Sequence, residues 1–264
     1  MTGIEFLAAP QLAAVLVAAF MAGLIDAMVG GGGLIQLPAL LAALPTTSPP
    51  TLLGTSKLAG VFGTGSAALR YARDVRIPWK VVLPGSALAF VAALGGAATV
   101  SVVPPDLFRP LVPFMLAAVL AYTVARKDFG RSHTPQRLEG RRLALAVALI
   151  LAIGFYDGFF GPGTGSFLMF LFIRLFGFDF LNASASARVL NVATNLAALS
   201  AFGAQGHVLV GLGLAMAACN VAGALLGARL ALRHGSGLVR KVFIVLVSAL
   251  IARTAYDAWR TWAA

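Results

Sequence analysis

Four consecutive glycines, Gly30 to Gly33, stand inside apolar sequence. Gly23-Leu24-Ile25-Asp26-Ala27-Met28-Val29 leads into them and Leu34-Ile35-Gln36-Leu37-Pro38 leads out. Glycine in a helix interior costs ~1 kcal/mol relative to alanine, so the entering helix breaks here. Several apolar runs in the chain approach or exceed the ~20 residues that cross a bilayer, which puts the break where lipid offers the backbone no partner. Irregular backbone at such a depth survives only when it is buried in protein or lines a watery cavity.

The motif occurs twice. Gly154-Phe155-Tyr156-Asp157-Gly158-Phe159-Phe160-Gly161-Pro162-Gly163-Thr164-Gly165 repeats it 131 residues later. The offset pairs Gly23 with Gly154, Asp26 with Asp157, Gly30 with Gly161 and Gly32 with Gly163. Without a gap it also pairs Lys57 with Arg188, Val61 with Val192 and Gly96 with Gly227, and lays the run 107–125 on 238–256. A shared frame of that length marks an internal repeat.

Composition excludes an ordinary soluble domain. The chain of 264 residues is 59% hydrophobic and 11% charged, against ~25% charged for globular proteins. The net charge of +11 sits in a few short loops, as expected for cytoplasmic loops of a membrane protein rather than for a nucleic-acid binder. No basic start precedes the first apolar run, which argues against a cleaved signal peptide. The lone Cys219 excludes an intramolecular disulfide and a cysteine metal cluster. No P-loop, dinucleotide fingerprint or helical metal-ligand pair is present, so no catalytic residue, cofactor or metal is expected.

The expected fold is an all-α polytopic membrane protein. It has two repeats, each a glycine-broken helical hairpin followed by three transmembrane helices. That gives eight long helices and two short half-helices. Residues 1–125 form the first repeat, 126–142 a basic cytoplasmic linker and 143–264 the second repeat. Short segments are expected at 34–44 and 166–177. Long helices are expected at 6–29, 52–71, 79–102, 107–125, 143–160, 183–203, 207–232 and 238–260. The linker and the connections 70–80 and 229–241 are basic, while 45–51 and 203–207 carry no charge. All basic connections fall on one side only if each broken hairpin makes no net crossing. Each copy then has five segments, the two copies are upside down relative to each other, and both termini lie outside. Inverted repeats with interrupted helices are a transporter architecture.

A helix starting after such a break points unpaired N–H groups and its positive dipole end into the cavity. Gly30, Gly31, Gly32 and Gly33, with Gly161, Gly163, Thr164 and Gly165, are therefore candidate anion-binding residues. Close helix packing is the competing use of small residues. Lys57 and Arg188 are cations early in predicted membrane helices. Such a cation faces a cavity or partner, or else snorkels to the interface. Asn191 and Asn195 share a helical face with Arg188. They can bind anion oxygens or join helices, and Ser184 and Thr194 are lesser candidates. Asp26 and Asp157 are the acidic residues of the break-forming helices. They are candidates to carry protons, to cap the break, or to pair with Lys57 or Arg188. Together these groups are expected to form one electropositive pocket at mid-membrane.

The doubled Gly-x-x-Asp-x-x-x-Gly-x-Gly, Gly54-Thr55-Ser56-Lys57 and Ser186-Ala187-Arg188-Val189-Leu190-Asn191 resemble the sulfite exporter TauE/SafE family over nearly the whole chain. The resemblance implies a multi-pass transporter of the bacterial inner membrane. It would move sulfur-containing anions such as sulfite or organosulfonates; a secondary transporter working by alternating access in the direction of export is the expected mode. The family's glycine motifs fall on Gly30–Gly33 and Gly161–Gly165, and its motif cations on Lys57 and Arg188. A passive anion channel and a non-transporting membrane subunit of a sulfur-metabolism system are the alternatives. Expected partners are a small anionic substrate and membrane lipid but no nucleic acid; homo-oligomerisation is left open.

Overall fold

The computed structural model describes residues 3–100, 130 and 132–263. Its elements are a 3-10 turn (Ile4–Phe6) and helices α1 (Ala9–Val29), α2 (Gly33–Ala43), α3 (Pro49–Asp74), α4 (Trp79–Thr99), α5 (Gly140–Phe159), α6 (Thr164–Phe176), α7 (Phe180–Ala204) and α8 (Val210–Ala263). The described residues hold eight α-helices and no strand. The expected crossing at 107–125 lies outside them.

Among the described residues, four helices are long and apolar enough to cross a membrane: Ala9–Val29, Trp79–Thr99, Gly140–Phe159 and Val210–Val245. At 1.5 Å per residue, α1 and α4 are ~31 Å long, matching the ~30 Å hydrocarbon core. Helices α3 and α7 are longer still but more polar, because they carry Lys57, Arg188 and the neighbouring amides. They pack against each other and against α8 and α4 respectively. Exposed Val17, Leu69, Leu83, Val91, Leu145 and Leu214 lie on an apolar exterior suited to lipid.

Helix ends follow local chemistry. Pro49 and Pro50 open α3, where the missing N–H costs nothing. Asp179 caps α7 by accepting from the Asn182 amide at 2.7 Å. Gly177 ends α6 in the left-handed conformation, φ 72°. One expectation is corrected here. The basic connection 229–241 is not a loop, because α8 runs through it and only Gly235 (φ 68°, ψ −166°) leaves the helical region. The predicted helices 207–232 and 238–260 are both present and meet at that residue, so the connection between them is far shorter than 229–241. A single glycine suffices to turn the axis, so no loop residues are needed.

Loops segregate by charge. At one end the uncharged connections meet: Thr51 Oγ1 lies 3.2 Å from His207 Nδ1, and the Leu209 amide donates to Thr55 Oγ1 at 3.0 Å. At the other end the Thr134 and Gln136 amides donate to the carbonyls of Gly177 and Phe176. The Leu181 amide there donates to Ser236 Oγ at 3.1 Å. Helix α2 returns towards the uncharged end, where Leu44 packs with Leu52 and Leu209. Helix α6 returns towards the basic end, where Phe176 packs with Leu138 and Phe178.

Contacts also exchange under the 131-residue offset. Gly23 faces the Asn220 carbonyl and Gly154 the Ala89 carbonyl. Likewise Gly96 faces the Phe155 carbonyl and Gly227 the Leu24 carbonyl. In all four cases a Cβ would run into backbone, so glycine is what lets α1 approach α8 and α5 approach α4.

Candidate functional site at the paired helix breaks

Helix α1 ends at Gly30, whose φ of 85° is left-handed and whose amide donates to the Asp26 carbonyl at 2.9 Å. Helix α2 starts three residues later at Gly33. In the second copy, Gly161 (φ 94°) and Gly163 (φ 90°) turn the chain between α5 and α6. The two breaks touch. A Cβ on Gly30 would strike the backbone of Gly165 and Ser166, and the Ser166 amide donates to the Gly30 carbonyl at 3.2 Å. Here glycine is required both by φ and by the approach of the opposing backbone.

The last carbonyls of α1 would otherwise be orphaned. The Tyr71 hydroxyl donates to the Ala27 carbonyl at 2.8 Å, Ser184 Oγ to that of Met28 at 3.0 Å, and Ser166 Oγ to that of Val29 at 2.8 Å. Arg188 donates to the Asp26 carbonyl through Nη1. Its guanidinium therefore closes a helix C-terminus, where the dipole favours a cation.

The four ionisable groups pair across the copies. Lys57 Nζ lies 2.8 Å from Asp157 Oδ2, and Arg188 Nη1 lies 3.1 Å from Asp26 Oδ2. Each cation takes the carboxylate of the other half. Lys57 also donates to Asn195 Oδ1 at 3.0 Å, and Asn195 Nδ2 to Asn191 Oδ1 at 3.0 Å. Asp26 accepts from Thr64 Oγ1 at 3.0 Å and from the Gly32 amide at 3.3 Å. Thr64 and Asn195 are themselves equivalent under the offset. With each cation matched by a carboxylate, the pocket expected to be electropositive is charge-balanced. The sequence shows the charges but not which of them meet.

One cavity lies between the breaks. Its volume is about 50 Å³, where a single water needs ~10–15 Å³. That is room for a few waters or one compact oxyanion. Asp26, Gly30, Gly32, Gly33, Lys57, Asp157, Gly161, Gly163, Thr164, Gly165, Asn191 and Asn195 line it. The amides of Gly33 and Gly165, in the first turns of α2 and α6, are among those a helix cannot satisfy itself.

Gly31 and Arg188 do not line the cavity. Arg188 is fully buried behind Asp26, and its Nη2 has no hydrogen-bond partner among the described residues. Thr164 Oγ1 donates to the Gly161 carbonyl at 2.7 Å and Thr194 Oγ1 to that of Asn191 at 3.1 Å, so both hydroxyls hold local backbone.

Sequence reasoning missed Gln36, Ser56, Thr64 and Asn220. Gln36 Nε2 donates to Ser56 Oγ at 3.1 Å, and Asn220 Nδ2 donates to Gln36 Oε1 at 2.9 Å. These residues make a polar wall on one side of the cavity. An intramembrane glutamine and asparagine were the available signal, but the positions equivalent to Gln36 and Asn220 are Phe167 and Ala89, so the repeat gave no hint.

The family model described as sulfite exporter TauE/SafE matches residues 15–254. A probable membrane transporter protein, ORF9, from Sinorhizobium sp is 39% identical over 247 residues, covering 93% of each chain. The probable membrane transporter protein YfcA of Escherichia coli K12 is 34% identical, covering 96% of this chain and 93% of its own. A probable membrane transporter protein of Haemophilus influenzae is 35% identical over 90% of this chain and 92% of its own. No solved structure matches.

Proposed function

The chain belongs to the sulfite exporter TauE/SafE family of membrane transporters, and on that premise we propose that it carries a small sulfur-containing anion, sulfite or an organosulfonate, out across the cytoplasmic membrane. The observation that carries the reading is Lys57: a buried ammonium on a cavity of oxyanion size, beside two helix N-termini and held only by groups that an anion can replace. The glycine breaks supply N–H donors at short range, and Asn191 and Asn195 orient the oxygens.

Charge balance then links the anion to a proton. An anion that takes Lys57 releases Asp157, and a buried carboxylate without a partner is costly unless it is neutralised. Proton uptake by Asp157 restores neutrality, so anion and proton are bound together. Asp26, already paired with Arg188, plays the equivalent part when the opposite hairpin opens. Alternating access follows as the exchange of the two half-sites, each open to one side in turn.

The test is anion flux in proteoliposomes with an internal pH dye. Wild-type protein moves sulfite or an organosulfonate together with protons. Lys57→Ala abolishes flux, and Asp157→Asn uncouples anion from proton. Wild-type flux in Lys57→Ala rejects the site, whereas large anion currents without proton movement indicate a channel.

A further inference from the structure

A second cavity, of about 530 Å³, opens at the basic end of the molecule, remote from the helix breaks. Its walls are Arg70 and Asp74 of α3, Leu181 of α7, and Arg229, Leu232 and Arg233 of α8. Arg70 is tied to Asp74 at 3.1 Å. Arg229 and Arg233 are exposed and have no ion-pair partner among the described residues. Three guanidinium groups face one carboxylate, which leaves two positive charges unmatched.

The helix rows beneath identify what those charges face. On α8, Leu225, Arg229 and Arg233 follow at four-residue steps on one side, and Leu225 is exposed. On α3, Phe62, Ser66, Arg70 and Asp74 do the same, and Phe62 is exposed. The two helices pack together and run in the same direction towards the basic end. Each row is therefore apolar at membrane depth and cationic at its boundary. Guanidinium forks suit phosphate oxygens, and basic pockets between membrane helices on the positive side suit lipid headgroups. A soluble phosphate would have no use for the apolar tracks.

We propose that the hollow between α3, α7 and α8 is a site for the phosphodiester headgroup of an anionic phospholipid, with its acyl chains lying along Phe62 and Leu225. The site is independent of the transported anion.

The test is thermal unfolding of the full chain in phosphatidylcholine vesicles, in the same vesicles with added phosphatidylglycerol, and in phosphatidylcholine vesicles with inorganic phosphate. Phosphatidylglycerol raises the wild-type midpoint and inorganic phosphate does not. In R229Q/R233Q that rise falls by roughly half or more, as expected when a ligand loses its charge-assisted contacts. The variant R141Q/R142Q removes the same charge from exposed positions elsewhere on the chain and keeps the rise. R233Q alone, an exposed change in the last turn before Gly235, serves if the double variant does not fold. A wild-type midpoint indifferent to phosphatidylglycerol overturns the proposal. So does an equal loss in R141Q/R142Q, which would mean general attraction to the basic end. A rise with inorganic phosphate that vanishes in R229Q/R233Q would assign the hollow to free phosphate instead.

Discussion

Removing the Lys57 ammonium leaves Asp157 buried without its counter-charge. Breaking a buried pair from one side costs ~3–5 kcal/mol, whereas replacing both partners with apolar groups is far milder. Lys57→Ala should therefore lower the unfolding midpoint sharply. Lys57→Met with Asp157→Leu should recover most of it, with flux absent from both; thermal denaturation beside a flux assay separates the two effects. Glycines divide in the same way. Gly30 has a left-handed φ and the backbone of Gly165 against it, while nothing lies within 4 Å of a Cβ on Gly65. Gly30→Ala should prevent normal folding, and Gly65→Ala should stabilise α3 by up to ~1 kcal/mol, read as a rise in midpoint. At this scale the sequence was informative about type and poor about partners. The cations, carboxylates and breaks stand out as costly groups in apolar surroundings. That Lys57 takes Asp157 and Arg188 takes Asp26 depends on how the halves cross, which no local pattern records.

The elements were legible where their punctuation is chemical. Glycine breaks gave both short helices to within two residues at either end, whereas α3 starts at Pro49 and not at 52, because the two prolines read as loop occupy its first turn. The turn at Gly235 falls between the predicted helix ends at 232 and 238, but its shortness was not legible, because a stretch rich in arginine reads as a longer connection although arginine is a good helix former. Two tests belong here. Asp179→Ala removes the acceptor for the Asn182 amide and should cost ~1 kcal/mol, seen as a modest fall in midpoint. Gly96→Val and Gly227→Val each drive a side chain into a carbonyl of the facing helix. Both should destabilise strongly and to a similar degree, since the two contacts are equivalents; a large difference between them would mean that α4–α5 and α1–α8 are not equivalent packings.

For the whole molecule, the separation of uncharged from basic connections predicts an orientation that can be measured. With Cys219 replaced by alanine, a cysteine at Thr47 should react with an impermeant maleimide added outside intact cells. One at Ser132 should react only after the membrane is opened. The reverse pattern would invert the molecule and the direction argued for transport. The polar wall of Gln36, Ser56 and Asn220 exists at this scale alone, since it joins residues from α2, α3 and α8 with no counterpart in the other half.

The touch between Gly30 and Gly165 has a mechanical consequence. Two bare backbones meet with no side chain between them to act as a cushion, and a hydrogen bond fastens one to the other. The tips of the hairpins thus form a bearing. If the hairpins move as alternating access requires, sliding either tip would shear that joint and tug its opposite number, so the two would be expected to move together.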